Sequence, residues 1–180
     1  MADVSAHGIS AGLPPGFEAH IYRRVPSGPE RCYPVAHFST FPIPPGTGDF
    51  GGGATTLMGP DDVFVVLFEY GPESLGTQLF AHRGLPRTLA ASDFKAHVLR
   101  RGIPGQGGTQ LFFTEAGRPF TLYVALGSYG RRTQLVGRVN GVLGGVTIAR
   151  SAAPSSASAS PNGAPLAEAA PSPATVPLWN

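Results

Sequence analysis

The sequence predicts an α+β domain, an antiparallel sheet with helices packed on it, and three observations carry that reading. Residues 63–68 (Val-Phe-Val-Val-Leu-Phe) are apolar throughout, the mark of a strand covered on both faces or central in its sheet. Gln110–Phe113 and Pro119–Leu126 are two strand-like runs joined across Glu115-Ala116-Gly117, which reads as a hairpin. Between Gly130 and Gly144, Leu135, Val139, Val142 and Leu143 fall at i, i+4, i+7 and i+8, one apolar stripe of an amphipathic helix.

The elements follow in order. Leu13-Pro14-Pro15-Gly16 is a breaker that launches a strand over 17–22, with Phe17, Ala19 and Ile21 on one face. A Pro/Gly turn over 25–30 precedes a second strand over 35–43. Pro42, Pro44 and Pro45 cannot donate to a ladder, so its far end is an edge or leaves the sheet. Residues 46–53 (Gly-Thr-Gly-Asp-Phe-Gly-Gly-Gly) read as a loop. Its glycines permit positive φ and close backbone approach, which makes Asp49 and Phe50 at its centre candidate partner-binding residues. The strand over 63–70 then runs into a helix started by Pro72 and Glu73, with Leu75, Leu79 and Phe80 inward and Gly84 as its stop. Ser92 or Asp93 caps a further short helix over 94–101, with Gly102 behind it. In the second hairpin strand Phe120, Leu122, Val124 and Leu126 face one way, and Thr121, Tyr123 and Ala125 the other. A short strand over 146–148 ends the series. Gly137 and Gly141 each weaken the closing helix by about 1 kcal/mol relative to Ala, so packing on the sheet must hold it. The expected core is Phe17, Ile21, Val65, Leu67, Phe120, Leu122, Val124, Leu135, Val139 and Leu143.

A chain of 180 residues is long enough for one domain with a sizeable core, placed here over residues 8–149. Residues 150–180 form an Ala/Pro/Ser-rich tail. From Ser151 onward there are nine Ala, six Pro and seven Ser or Thr, no Lys or Arg, and Glu168 as the one acid. Such a segment has too little apolar periodicity to offset its ordering entropy and reads as disordered. Within it, Leu178 and Trp179 are candidate partner-binding residues, because the single Trp of the chain stands there on a long, nearly uncharged tether.

Charge and motifs exclude more than they assign. The 13 basic residues all precede Ser151, against 10 of the 11 acids, so that part carries 13 − 10 = +3. The bases are dispersed, with no run and no aromatic–basic interleaving, which argues against nucleic acid. One cysteine, Cys32, forbids an internal disulfide or a multi-thiolate metal site. No segment approaches the ~18 apolar residues of a membrane span and no leader pattern opens the chain, so the expected location is cytoplasmic. Gly46-x-Gly48-x-x-Gly51 has the dinucleotide spacing but neither the strand before it nor the helix after it. The five histidines show no ligand spacing. His20 and His37 lie in neighbouring strands and could meet across the sheet, and with one carboxylate would make a zinc site, but nothing beyond proximity supports it. Cys32 and His37 lack an oriented base and an oxyanion site. Asp61, Asp62, Glu69 and Glu73 form the densest acidic group, with Arg83, Arg87 and Arg118 as partners by charge. No catalytic residue, metal ligand or cofactor is expected.

The run Phe113…Gly117-Arg118-Pro119-Phe120-Thr121-Leu122-Tyr123-Val124, followed by Leu135-Val136, Val139-Asn140, Leu143 and Val146-Thr147-Ile148, resembles the ending of PsbP-like domains. The opening Leu13-Pro14-Pro15-Gly16-Phe17 resembles the start of the same superfamily, and the whole is similar to a group of uncharacterised actinobacterial proteins. The resemblance spans residues 9–148 and rests on pattern. It implies a mostly non-catalytic function: accessory subunits, lipoproteins and a nuclear-transport factor. It carries over no functional residue. The function expected is therefore a non-enzymatic protein-binding or accessory module. The alternatives are an assembly component docked through its tail, or an enzyme of unrecognised type.

Overall fold

The computed structural model describes residues 2–24, 31–96 and 103–150. Eight strands and one α-helix appear among them: β1 (Ala2–Ala6), β2 (Ile9–Leu13), β3 (Glu18–Arg23), β4 (Pro34–Ser39), β5 (Val63–Glu69), β6 (Gly107–Glu115), β7 (Arg118–Leu126), α1 (Arg132–Gly145) and β8 (Val146–Ile148). They form a five-stranded antiparallel sheet in the order β3-β4-β5-β7-β6 and a three-stranded one in the order β1-β2-β8. The described residues are thus antiparallel sheet with a single α-helix, more sheet and less helix than the sequence suggested.

The all-apolar run became the middle strand for the reason its composition gives. Every residue of β5 except Phe68 is buried, and its alternate side chains serve two different cores. Val63, Val65 and Leu67 join Phe120, Leu122, Val124 and Leu126 of β7 on the inner face, where α1 and β2 cover them. Phe64 and Val66 point the other way, into a smaller cluster with Val35, Phe41, Ile43, Ala54 and Ala125. In the β6–β7 hairpin the two turn residues Ala116 and Gly117 have φ of 52° and 74°, the left-handed pair that a two-residue turn between right-twisted strands requires. The helix stripe lies inward: Leu135, Val139, Val142 and Leu143 are all buried, and Val136 joins them. Phe17 and Ile21 are half-buried, packed against the rim of that core.

Four expectations change. Ordered structure precedes residue 8, because residues 2–13 make a hairpin about His7 and Gly8. Val4 is its sole half-buried large apolar side chain before Ile9, too weak a period-two signal to read. The second strand stops at Ser39 rather than running to Ile43. The prolines carry the chain off the ladder, and Phe41 and Ile43 turn onto the outer face of the sheet. No α-helix forms over 71–84. Two 3-10 turns, Pro72–Ser74 and Gln78–Phe80, take its place, broken by Gly76 at φ +79°. Leu75 and Leu79 are 38% and 56% exposed and only Phe80 is buried. A segment this short cannot offset the cost of helix nucleation without a packed face. The helix expected over 94–101 is also absent where the chain is described. Ala91–Asp93 is a 3-10 turn, the Asp93 carboxylate accepts from Ala90 N–H (2.8 Å), and Lys95 pairs in an antiparallel bridge with Gly108. Residues 97–102 lie outside the described residues.

One ion pair straps the two sheets together. Arg118 at the start of β7 is 4% exposed and Glu69 at the end of β5 is 7% exposed. The guanidinium donates to both carboxylate oxygens, Nε to Oε1 at 2.9 Å and Nη2 to Oε2. It also donates to the carbonyls of His7, Gly8 and Ala149 at 3.1, 3.2 and 3.0 Å, reaching the β1–β2 turn and the end of β8. Of the acid–base partners suggested by charge, this is the one that forms. Arg87 instead donates to the Val146 carbonyl at 2.9 Å. Asp61 pairs with Arg131 of the helix start, and Asp62 accepts from Thr40 at 2.8 Å.

Candidate functional site between the two sheet edges

The outer edges of β1 and β3, unpaired among the described residues, flank a cleft of about 870 Å³ that residues 43–49 also line. The strand alternation of β3 decides what enters it. Ala19 and Ile21 pack on the inner core, which turns His20 and Tyr22 to the outer face. The register places His20 directly opposite His37 and Tyr22 opposite Val35. The two histidines are register partners across the sheet, as their placement in neighbouring strands suggested. Among the described residues, however, no group of three or more His, Cys, Asp or Glu is placed to hold a metal ion.

The loop over 46–53 brings Asp49 to this cleft. Thr47 Oγ1–H donates to the Pro44 carbonyl at 2.6 Å, and Gly51 N–H donates to the Gly48 carbonyl at 2.7 Å. Gly51 has φ +71°, and a Cβ there would overlap the Phe64 ring. Glycine is therefore required at this position by backbone conformation and by space together. So held, the Asp49 carboxylate pairs with Arg24 Nη2 at 2.8 Å and accepts a long bond from Tyr22 O–H at 3.4 Å. Its own carbonyl accepts from His37 Nε2–H at 2.9 Å. A carbonyl can only accept, so Nε2 carries the proton and Nδ1 is the ring's acceptor. The Tyr22 and Phe64 rings meet His37 edge-on, with centroids 5.3 and 5.1 Å away.

The electrostatics follow from this packing. Burial lowers the His37 pKa below its ordinary value, opposed by the bond to the Asp49 carbonyl, so the ring is neutral at pH 7. Burial, and then the Asp49 carboxylate, push Tyr22 up to about 12. Tyr22 thus remains a hydrogen-bond donor throughout the physiological range. The exposed groups at the cleft are the Arg24 guanidinium and the His20 imidazole, while His37 is buried and, like the Tyr22 hydroxyl, is engaged with Asp49.

Phe50 goes elsewhere. It is 38% exposed and lies flat on Phe68, with centroids 5.1 Å apart and planes at 22°. It also meets Tyr123 edge-on at 5.9 Å. Aromatic contacts continue from Phe68 to Tyr70, Phe80 and Phe112 at 5.0, 5.1 and 5.5 Å, a row running along the outer face of the sheet.

Of the residues singled out from sequence, Asp49 and Phe50 are neighbours with separate surroundings, one in the cleft and one on the sheet face. Leu178 and Trp179 lie outside the described residues. Cys32 is half-buried. Sequence reasoning missed Tyr22 and Arg24 as partners of Asp49. The alternation of β3 was a readable signal for Tyr22, but the return of a loop 27 residues later was not. No family model matches this chain, and no curated protein and no solved structure matches it either.

Proposed function

We propose that the protein is a non-enzymatic protein-binding or accessory module, PsbP-like in kind, whose recognition element is the loop over 46–53. One observation carries the reading: the loop is anchored at Asp49 while it presents a partly exposed aromatic, Phe50, on a supporting aromatic bed. Aromatic side chains with few rotatable bonds contribute much of the energy of protein interfaces. Pre-ordering the loop that carries one lowers the entropic cost of binding. The hairpin–helix–strand ending that bears the resemblance is formed by β6, β7, α1 and β8 in sequence, which supports the PsbP-like reading. The groups in the cleft also fit binding better than catalysis. His37 spends its proton on a carbonyl and Tyr22 does not ionise near neutrality. A cytoplasmic setting belongs to the same proposal. Among the described residues no helix is long and apolar enough to cross a membrane.

The test is affinity capture from the native cell extract with the full chain and with Phe50→Ser. Each enriched protein is then purified and titrated against both forms. The proposal expects a partner whose affinity falls at least about tenfold in Phe50→Ser, with the cooperative unfolding transition retained and lowered only by the lost stacking on Phe68. Equal affinity for both forms would remove Phe50 from the interface. Turnover of a small molecule by the purified chain would replace the binding reading with an enzymatic one.

A further inference from the structure

The strand β6 closes one side of the five-stranded sheet, and among the described residues its outer edge is paired at its two ends. At one end Gly108 exchanges both backbone bonds with Lys95, each 2.9 Å long. At the other, Thr114 N–H donates to the His82 carbonyl at 2.8 Å and the Thr114 carbonyl accepts from Gly84 N–H at 2.9 Å. The register of β6 on β7 runs without a bulge from Gly107↔Leu126 to Glu115↔Arg118. Successive peptide groups therefore alternate strictly between the β7 side and the outer side. Gly108 and Thr114 bond outward, so Gln110 and Phe112, of the same parity, point outward too. Among the described residues no backbone group meets them. Gln110 is exposed and Phe112 half-buried. Two N–H and two C=O groups thus stand open between two plugs, a short template for strand addition.

We propose that this window is filled by the chain's own residues 176–178, Val-Pro-Leu, which lie outside the described residues. The size of the window favours a single slender strand. The plugs sit six residues apart (114 − 108), about 20 Å along the strand, which leaves little room for the sheet of a second copy. The placement of Pro177 selects the segment. A proline has no N–H to give and is tolerated in an edge strand only where it faces away from the ladder. With Pro177 outward, Val176 and Leu178 face β6, two residues at a spacing of two, matching Gln110 and Phe112. Ala164-Pro165-Leu166 repeats the arrangement, but with neither a β-branched residue nor a neighbouring aromatic to pack on the sheet. The path is short. Arg150 shares a cleft with Arg83, Gly84 and Thr114–Gly117, beside one plug of the window. The 26 residues from Arg150 to Val176 (176 − 150) span up to ~86 Å, against ~14 Å from Thr114 to Gln110. Once seated, the added strand removes an exposed edge that would otherwise recruit other chains. This inference is independent of the role given to Phe50.

Amide hydrogen exchange of Gln110 and Phe112, followed by NMR in the full chain and in a version ending at Ala174, tests it. The full chain should protect both amides at least about tenfold over the truncated one. Adding a synthetic peptide of residues 172–180 to the truncated form should restore that protection. Leu178→Pro removes one required N–H while leaving residues 1–150 untouched, and should abolish protection. The emission of Trp179, the single Trp, should shift to the blue in the full chain and return to the solvent-exposed position in Leu178→Pro. Equal exchange in the full and truncated chains overturns the proposal. So does protection that rises with protein concentration, which would mean a second copy occupies the edge.

Discussion

Replacing Arg118 by Met should be the most damaging single change outside the apolar core, and its cost can be worked from the contacts. The substitution keeps the aliphatic stem and deletes every donor. Glu69, 7% exposed, is left as a buried carboxylate without its partner, which costs on the order of 3–5 kcal/mol. The carbonyls of His7, Gly8 and Ala149 lose their donor as well. They lie at a turn and at a strand end where water can replace it, so together they add about 1 kcal/mol. The expected loss is about 5 kcal/mol, comparable to the whole stability of many domains. With a urea m-value of about 2 kcal/mol/M for a domain of this size, the unfolding midpoint falls by ~2.5 M. Far-UV circular dichroism across a urea series measures it. The decisive comparison is the double variant Arg118→Met/Glu69→Leu. Removing the stranded charge should recover more than half of the loss, while the unpaired carbonyls keep the double variant below the wild type. A double variant no more stable than Arg118→Met would show that the damage does not come from the buried carboxylate. An Arg118→Met protein within about 1 kcal/mol of wild type would show that the pair is solvated and the strap unimportant.

Val139 is fully buried beneath the sheet, so Val139→Ala should cost on the order of 1–3 kcal/mol, read as a midpoint shift at unchanged m-value. Gly51→Ala combines a left-handed φ with overlap on the Phe64 ring, and should destabilise by more than about 1 kcal/mol. An unchanged midpoint would mean that the loop is not seated on Phe64. His37 has a folded pKa below its unfolded value, so the unfolded chain binds its proton first as pH falls. Its contribution is complete above the unfolded pKa of about 6.5 and is lost between there and the folded value. The drop in stability from pH 7 to pH 5 should therefore be smaller in His37→Gln than in the wild type. Parallel pH profiles for the two proteins would contradict the burial of a neutral imidazole.

Local pattern determined the parts of this protein whose residues carry their own instruction. The apolar run 63–68 marked a strand covered on both faces or central in its sheet, and β5 is both. The two-faced alternation of residues 120–126 assigned inner and outer sides correctly, and the stripe Leu135–Leu143 chose the buried face of α1. Prolines 42, 44 and 45 signalled that the strand would leave the ladder, though it ends at Ser39, before the first of them. In each case the driving force is burial at a fixed period, which acts within a few residues and is visible without the fold. Elsewhere local preference was weak, and contacts distant along the chain decided. Pro72 and Glu73 are good helix-start residues, yet the segment after them forms 3-10 turns. The backbone groups of His82 and Gly84 instead find Thr114 in β6, some thirty residues away. Lys95 likewise left a plausible helix to pair with Gly108. Residues 2–6 became a strand because β2 and β8 offered a sheet to join. The cleft is the fullest case. Asp49 was singled out from sequence for the glycines around it, but its carboxylate environment is set by Arg24 and Tyr22, 25 and 27 residues earlier. That meeting depends on the β3–β4 register, on Gly51 fitting over Phe64 and on the prolines turning the chain back. The tertiary structure alone brings these together, because a charge or hydrogen-bond partner is chosen by distance in space and leaves no periodic trace along the chain.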